Sequence, residues 1–273
     1  MTFLVTGATG TVGRHIVDEL VRDGRRVRAL TRDPGRAAMP AGVEVVAGDL
    51  TVTDSLVSAF DGVTGVHLIN FGGDDYALLR NGREIAELAV KAGVRRVTVL
   101  GGWDQGTLEP AVRATDLEWT FVRPTEFMSN ALGWAERIRT EGVVREPFGD
   151  ATTAMIHEAD IAAVAARALV EDGHAGRTYG LTGPERLSVR DKVRVIGETI
   201  GRPVGFVELT EEQARERMAA EGQPQELIDF LIGVFANVPE EPNIVNDTVE
   251  RVTGRPARTF AQWVAEHADA FRA

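Results

Sequence analysis

No cysteine occurs in the 273 residues. Disulfides, thiolate nucleophiles and thiolate metal sites are excluded together, and the composition fits a reducing interior. Tyrosine is almost as scarce, at Tyr76 and Tyr179 only, and lysine occurs only at Lys91 and Lys192. The histidines His15, His67, His174 and His267 stand singly, without the spacing of metal ligands. No HExxH, GxSxG or Walker loop is present, which argues against metal and acyl-transfer chemistry. No uninterrupted apolar run approaches transmembrane length, and the opening MTFLVTGATG lacks the basic segment of a signal peptide. A net charge of −11 argues against a nucleic-acid or anionic-membrane partner. The expectation is a soluble, cytoplasmic protein; the oligomeric state is not legible.

What is present is alternation. Short β-type runs at 3–6, 26–31, 43–46, 65–70, 94–100 and 118–122 alternate with helical patterns, clearest at 12–23 and 81–92. Strands alternating with helices imply a parallel sheet with right-handed crossovers. Helical patterns at 160–171 and 188–200 then flank a strand at 178–181. A strand-like 204–209, helices at 211–221 and 225–236, and a closing helix at 260–271 follow. The fold class is α/β: a Rossmann doubly wound parallel sheet with a smaller, mainly helical C-terminal substrate-covering region. Residues 1–125 form the core, and 126–273 an interleaved part that returns to it near 155–182. Covering helices are expected near 126–140 and 210–238.

The loop TGATGTVGR at 6–14 joins the first strand to the first helix. Gly7 permits the tight turn, Gly10 lets the backbone approach a pyrophosphate, and Gly13 lets helix and strand pack closely. Thr9, Thr11 and Val12 complete the cradle at the positive end of the helix. The second strand ends on Thr31 and Arg32, where an NAD site would carry an acid for the ribose hydroxyls. Arg32 instead suits the 2′-phosphate of NADPH through a charge-assisted contact. Asp33 reverses that preference if the strand ends one residue later. After the third strand, Asp49 and Leu50 either flank an adenine ring, or Asp49 caps the segment that starts near Thr51.

TGATGTVG, Arg32, GDL at 48–50, VKAGVRRV at 90–97 and WTFVRPTEFMSN at 119–130 together resemble the NmrA-like branch of the atypical short-chain dehydrogenase/reductases. HEADIAAVAARAL at 157–169, YGLTGPERLS at 179–188 and VERVTGRPARTFAQWV at 249–264 extend the resemblance over essentially the whole chain. It implies NADP(H) or NAD(H) binding. It also implies either reduction of quinones, dyes or aromatic ketones, or a redox-sensing regulator with no reaction of its own. By the same resemblance Pro124 and Thr125 lie near the nicotinamide, and Phe127, Met128 and Asn130 line the acceptor site, although Phe127 and Met128 equally suit a core. Asn70 and Phe71 after the fourth strand, with Gly101 and Gly102 after the fifth, are the remaining expected cofactor contacts.

The larger short-chain superfamily places a serine after the fifth strand and a Tyr-xxx-Lys pair on the next helix. Here the serine position falls on Gly101 or Gly102, and neither tyrosine has lysine four residues on. The usual acid is missing. A general acid contributes roughly 10²–10⁴-fold, whereas positioning hydride donor and acceptor contributes about 7–11 kcal/mol. The reaction therefore survives its loss, with the proton taken from solvent or from a hydroxyl on the substrate. Asp104 and Tyr76 are weak candidates for a replacement acid, Asp104 being equally a turn former. Trp103 is either an aromatic wall for the substrate or a cover for the sheet end. His157 reads as a satisfied strand histidine and Asp160 as a helix cap. The expected activity is NADPH-dependent reduction of a bulky aromatic ketone or quinone, an aromatic polyketide being the narrow case. A non-catalytic NADP(H) sensor with a protein partner is the alternative, and a sugar-nucleotide epimerase a weaker third.

Overall fold

The most apolar runs pair at the centre of a parallel sheet, where both faces are covered, and the more polar runs take its edges. The computed structural model describes residues 1–73, 77–102, 105–238, 240 and 243–272. Its strands are β1 (Thr2–Val5), β2 (Arg26–Thr31), β3 (Glu44–Ala47), β4 (Val63–Ile69), β5 (Arg96–Leu100), β6 (Glu118–Pro124) and β7 (Arg177–Leu181). They lie in the order β3-β2-β1-β4-β5-β6-β7, every neighbouring pair parallel. The order reverses direction between β1 and β4, so their carboxyl ends open the crevice in which doubly wound sheets bind ligands.

The chain divides into two compact units, and the sheet belongs to the first: Met1–Pro124, Glu158–Leu181 and Thr248–Arg255. Helices α1 (Gly13–Arg22), α2 (Gly82–Lys91) and α3 (Leu108–Arg113) follow β1, the hairpin after β4, and β5. The last was not legible as a helix: the sequence reads as a loop, yet LEPAVR folds with Leu108, Glu109 and Val112 buried. Another helix, Glu158–Val170, packs on α1 and under β4–β6. Its many alanines permit an approach on all sides, which is why it lacks an amphipathic face. It starts at Glu158, so Asp160 lies inside its first turn and is not the cap.

His67 sits in the middle of β4, paired with Val5 and Thr98 on the flanking strands. Its Nδ1 lies 2.8 Å from Thr98 Oγ1, and Nε2 meets no partner among the described residues. Complete burial pushes its pKa down to about 3 from the usual 6.5. The unfolded chain binds this proton below 6.5 while the folded chain refuses it until about 3. Stability from this group is therefore complete above 6.5 and is lost progressively as pH falls toward 3. Lowering the pH to 5 costs about 2 kcal/mol through this residue alone. Urea midpoints measured between pH 7 and 5 are expected to fall less steeply for His67→Leu than for wild type.

The second unit comprises Thr125–His157, Thr182–Asp247 and Pro256–Ala273. Val143–Glu146 pairs in parallel with Gly205–Glu208, and Thr152–Thr153 in antiparallel with Leu187–Ser188. Helices Val189–Ile200, Glu211–Ala220 and Phe260–Glu266 each begin on a reciprocal capping box, from Ser188, Thr210 and Thr259. Trp263 is the centre of its main core, with Phe260, Phe271, Ile138 and Val193 in the same cluster. The closing helix expected at 260–271 is broken at His267. There the imidazole Nδ1 lies 2.8 Å from the Trp263 carbonyl, which also accepts from the His267 N–H, and the ring stacks on the indole. Helix Gln225–Ala236, expected as a cover, buries Ile228 and Ile232 and leaves Phe230 52% exposed.

Candidate functional site

The glycine loop leaves β1 at the switch point. Thr6 is buried and ties the two strands together: its N–H donates to the His67 carbonyl (3.0 Å) and its Oγ1 accepts from Ile69 N–H (3.2 Å). Gly7 then turns with φ +59°, and Gly10 N–H donates back to its carbonyl at 2.9 Å. A Cβ on Gly13 would overlap that same carbonyl, so only glycine brings α1 this close to the loop. Thr9 and Gly10 are exposed, Thr11 half-buried and Val12 buried. The first turn of α1 has no acidic residue and no side-chain cap, so its positive end is neutralised by nothing internal. This cradle fits a dinucleotide pyrophosphate.

β2 ends at Thr31, and Arg32 follows it exposed. Asp33 Oδ1 accepts from Gly35 N–H at 3.1 Å and caps a short 3-10 turn, Pro34–Arg36. At the end of β3, Asp49 Oδ1 accepts from Thr51 N–H (2.8 Å) and Thr51 Oγ1 (2.7 Å). It is an Asx turn and not the cap of the following 3-10 helix, whose N-cap is Val52. The Thr51 hydrogen bonds, then the nearby Arg32 guanidinium, hold the Asp49 carboxyl below its usual range against the opposing effect of burial. Leu50 beside it is buried. An acid after β3 and a guanidinium after β2 thus lie near each other at this end of the sheet.

At the carboxyl ends of β4–β6, Asn70 is buried, its carbonyl accepting from Leu79 N–H at 2.9 Å, and Phe71 starts a hairpin with Ala77–Leu78. Gly101 is buried and donates to the Val122 carbonyl at 3.0 Å; Gly102 is exposed. Beneath Gly101 lies the carboxylate of Glu109, fully buried, whose Oε2 accepts from Arg123 Nη2 at 2.5 Å. A Cβ on Gly101 would meet Glu109 Oε1, so a side chain here would require the Glu109 carboxylate to shift. Glu109 and Arg123 escaped the sequence reading, because nothing local in TLEPAV or FVRPT signals a contact across 14 residues. Tyr76, Trp103 and Asp104 lie outside the described residues. Tyr179 hydrogen-bonds His174 Nδ1 through its hydroxyl at 2.8 Å, Lys91 is exposed, and Lys192 is committed elsewhere, so none of them supplies the usual pair.

In the second unit the segment after β6 is stitched down like a strand. Ile156 N–H donates to the Glu126 carbonyl (2.8 Å) and Met128 N–H to that of Ile156 (3.0 Å). Thr125 Oγ1 donates to the Ala154 carbonyl at 2.5 Å. Phe127 is half-buried and Asn130 exposed, both available to a ligand, whereas Met128 is 1% exposed and belongs to the core. Its expected place in an acceptor pocket is therefore corrected: the backbone bridge between Phe127 and Ile156 turns its side chain inward. His157 is buried and meets Glu266 Oε2 at 3.2 Å.

Comparison with known proteins follows this geometry. The NmrA-like family model matches residues 1–99. Over 98% of both chains, this one is 39% identical to a (4-alkanoyl-5-oxo-2,5-dihydrofuran-3-yl)methyl phosphate reductase of Streptomyces griseus. It is 36% identical to an NAD(P)H azoreductase of Xenophilus azovorans, over 99% of each chain. The NADPH-dependent quinone oxidoreductase of Escherichia coli, solved with NADPH, shares the fold with a TM-score of 0.82 at 24% identity, over 97% of this chain and 99% of that one. The chain belongs to the NmrA-like family.

Proposed function

We propose that the protein is an NADPH-dependent reductase acting on electron-poor, conjugated carbonyl or quinone-type acceptors. The observation that carries this reading is a glycine cradle suited to a dinucleotide beside a β5 end that carries Gly101 and Gly102 in place of serine, with no Tyr-xxx-Lys pair in the sequence. When bound, NADPH supplies a hydride from C4 of its reduced nicotinamide. The chain's own part is to fix the pyrophosphate on the α1 turn and the 2′-phosphate on Arg32. The acceptor gains the hydride and one proton. An acceptor that delocalises the incoming charge leaves little for an acid to do in the transition state, so solvent serves as the proton source. Quinones, azo dyes and acylated furanones such as a furanone methyl phosphate all meet that requirement. An aromatic ketone with a phenol beside the carbonyl meets it with its own proton. Two relatives at 39% and 36% identity are named reductases, which supports an enzyme over a redox sensor.

The test is oxidation of NADPH and of NADH with a naphthoquinone as acceptor, followed by absorbance. Wild type is expected to favour NADPH by about ten- to a hundred-fold in kcat/KM, the value of one or two charge-assisted contacts. Arg32→Ser is expected to lose most of that preference by raising KM for NADPH. A wild-type preference for NADH would overturn the assignment of Arg32.

A further inference from the structure

We propose that Arg123, held from beneath by Glu109, is the anchor for a phosphate monoester carried by the acceptor. The inference rests on the reductase reading above and adds the chemical class of its substrate.

Arg123 is the only charged residue in the stretches 69–73, 100–102 and 121–124, which end β4, β5 and β6. The chain carries a net charge of −11, so an anionic acceptor needs a local cation to overcome long-range repulsion. Its guanidinium is gripped on one edge. Nη2 donates to Glu109 Oε2 at 2.5 Å, and Nε is buried on the same side without a hydrogen bond. Glu109 Oε1 is buried too, accepts no hydrogen bond among the described residues, and is directed at the space that Gly101 leaves open. A buried ion pair with an orphan atom on each partner is a poor source of stability, since an apolar pair of similar volume serves as well or better. What it does provide is a guanidinium locked in one orientation. Among the described residues Glu109 is its only hydrogen-bonded partner, and the Arg123 side chain stays 33% exposed. The opposite edge therefore presents a rigid donor fork, the geometry that matches two oxygens of a phosphate. Arg123 is thus the residue that touches the ligand, and Glu109 a positioning residue.

The test compares a naphthoquinone with the same quinone bearing a phosphooxymethyl group, with NADPH as donor. Wild type is expected to favour the phosphorylated acceptor by about ten- to a hundred-fold, expressed in KM. Arg123→Met should collapse this ratio toward one. Arg123→Lys should keep part of it through charge alone, and Glu109→Gln should lower it while NADPH binding, read by fluorescence, persists. A change in packing alone would shift both acceptors together and leave the ratio intact. Equal KM values for the two acceptors in wild type would overturn the proposal, as would an Arg123→Met variant that loses NADPH binding, which would place the residue in the cofactor site. If neither quinone is reduced, the reductase reading fails separately. Calorimetric binding of the phosphorylated quinone to wild type and Arg123→Met then decides the anchor, equal affinities overturning it.

Discussion

Lys192→Met is expected to destabilise the protein by about 3–5 kcal/mol, the usual cost of leaving one partner of a buried ion pair alone. Lys192 is 2% exposed, and its Nζ donates to Glu126 Oε2 at 2.8 Å and to Thr153 Oγ1 at 2.7 Å. Thr153 Oγ1 donates in turn to the same Glu126 oxygen at 2.5 Å. The three groups satisfy one another, so removing the cation leaves a largely buried carboxylate supported on that oxygen by one hydroxyl. Glu126 lies in the segment that runs from Thr125 to Met128, whose backbone is bridged to Ile156. Loss of the tether should therefore also loosen this stretch, read as faster amide hydrogen exchange at 125–128 along with a lower urea midpoint. The double variant Lys192→Met with Glu126→Gln should recover much of the stability, because no unpaired charge remains. A single-variant loss below about 1 kcal/mol would mean that Glu126 finds water in place of the lysine.

Gly13→Ala is expected to reduce kcat/KM for NADPH on the order of a hundred-fold, the scale set by displacing a positioned ligand by about 1 Å. The added methyl would overlap the Gly7 carbonyl, so either the loop or α1 must move. Stability should fall by about 1–3 kcal/mol, as for other overpacked sites. Gly180→Ala is the control, since a Cβ there meets nothing within 4 Å. Near-normal NADPH kinetics in Gly13→Ala would show that the pyrophosphate does not depend on this close approach.

Much of the first unit was legible because its signals are local. The runs that became β1, β2 and β4 are apolar by themselves, and the Gly7, Gly10 and Gly13 spacing marks the turn without help from distant residues. The order Arg32-Asp33 left the cofactor preference open in the sequence; in the structure β2 ends at Thr31 and Asp33 caps the 3-10 turn through Gly35 N–H. What stayed hidden depends on contacts between distant parts of the chain. Glu109 lies in a stretch that reads as a loop, and Lys192 in the helical pattern at 188–200, with nothing local to mark either as buried. Their burial is decided by Arg123 and by Glu126 with Thr153. For Met128 the resemblance suggested the acceptor site and its residue type a core, and the structure places it in the core. His267 interrupts a helix that periodicity alone would continue, and its ring lies against the Trp263 carbonyl.

The central claim is that this chain moves a hydride from NADPH to a carbon acceptor. It is tested most directly with NADPH deuterated at C4, offered with acylated furanone phosphates and aromatic ketones, the products being read by mass spectrometry. The account predicts one deuterium on carbon in the reduced product and a slower rate than with unlabelled NADPH. Tight NADPH binding with no deuterium in any product would contradict it; NADPH oxidation by a naphthoquinone would then mark a quinone reductase, and its absence a sensor of the cofactor.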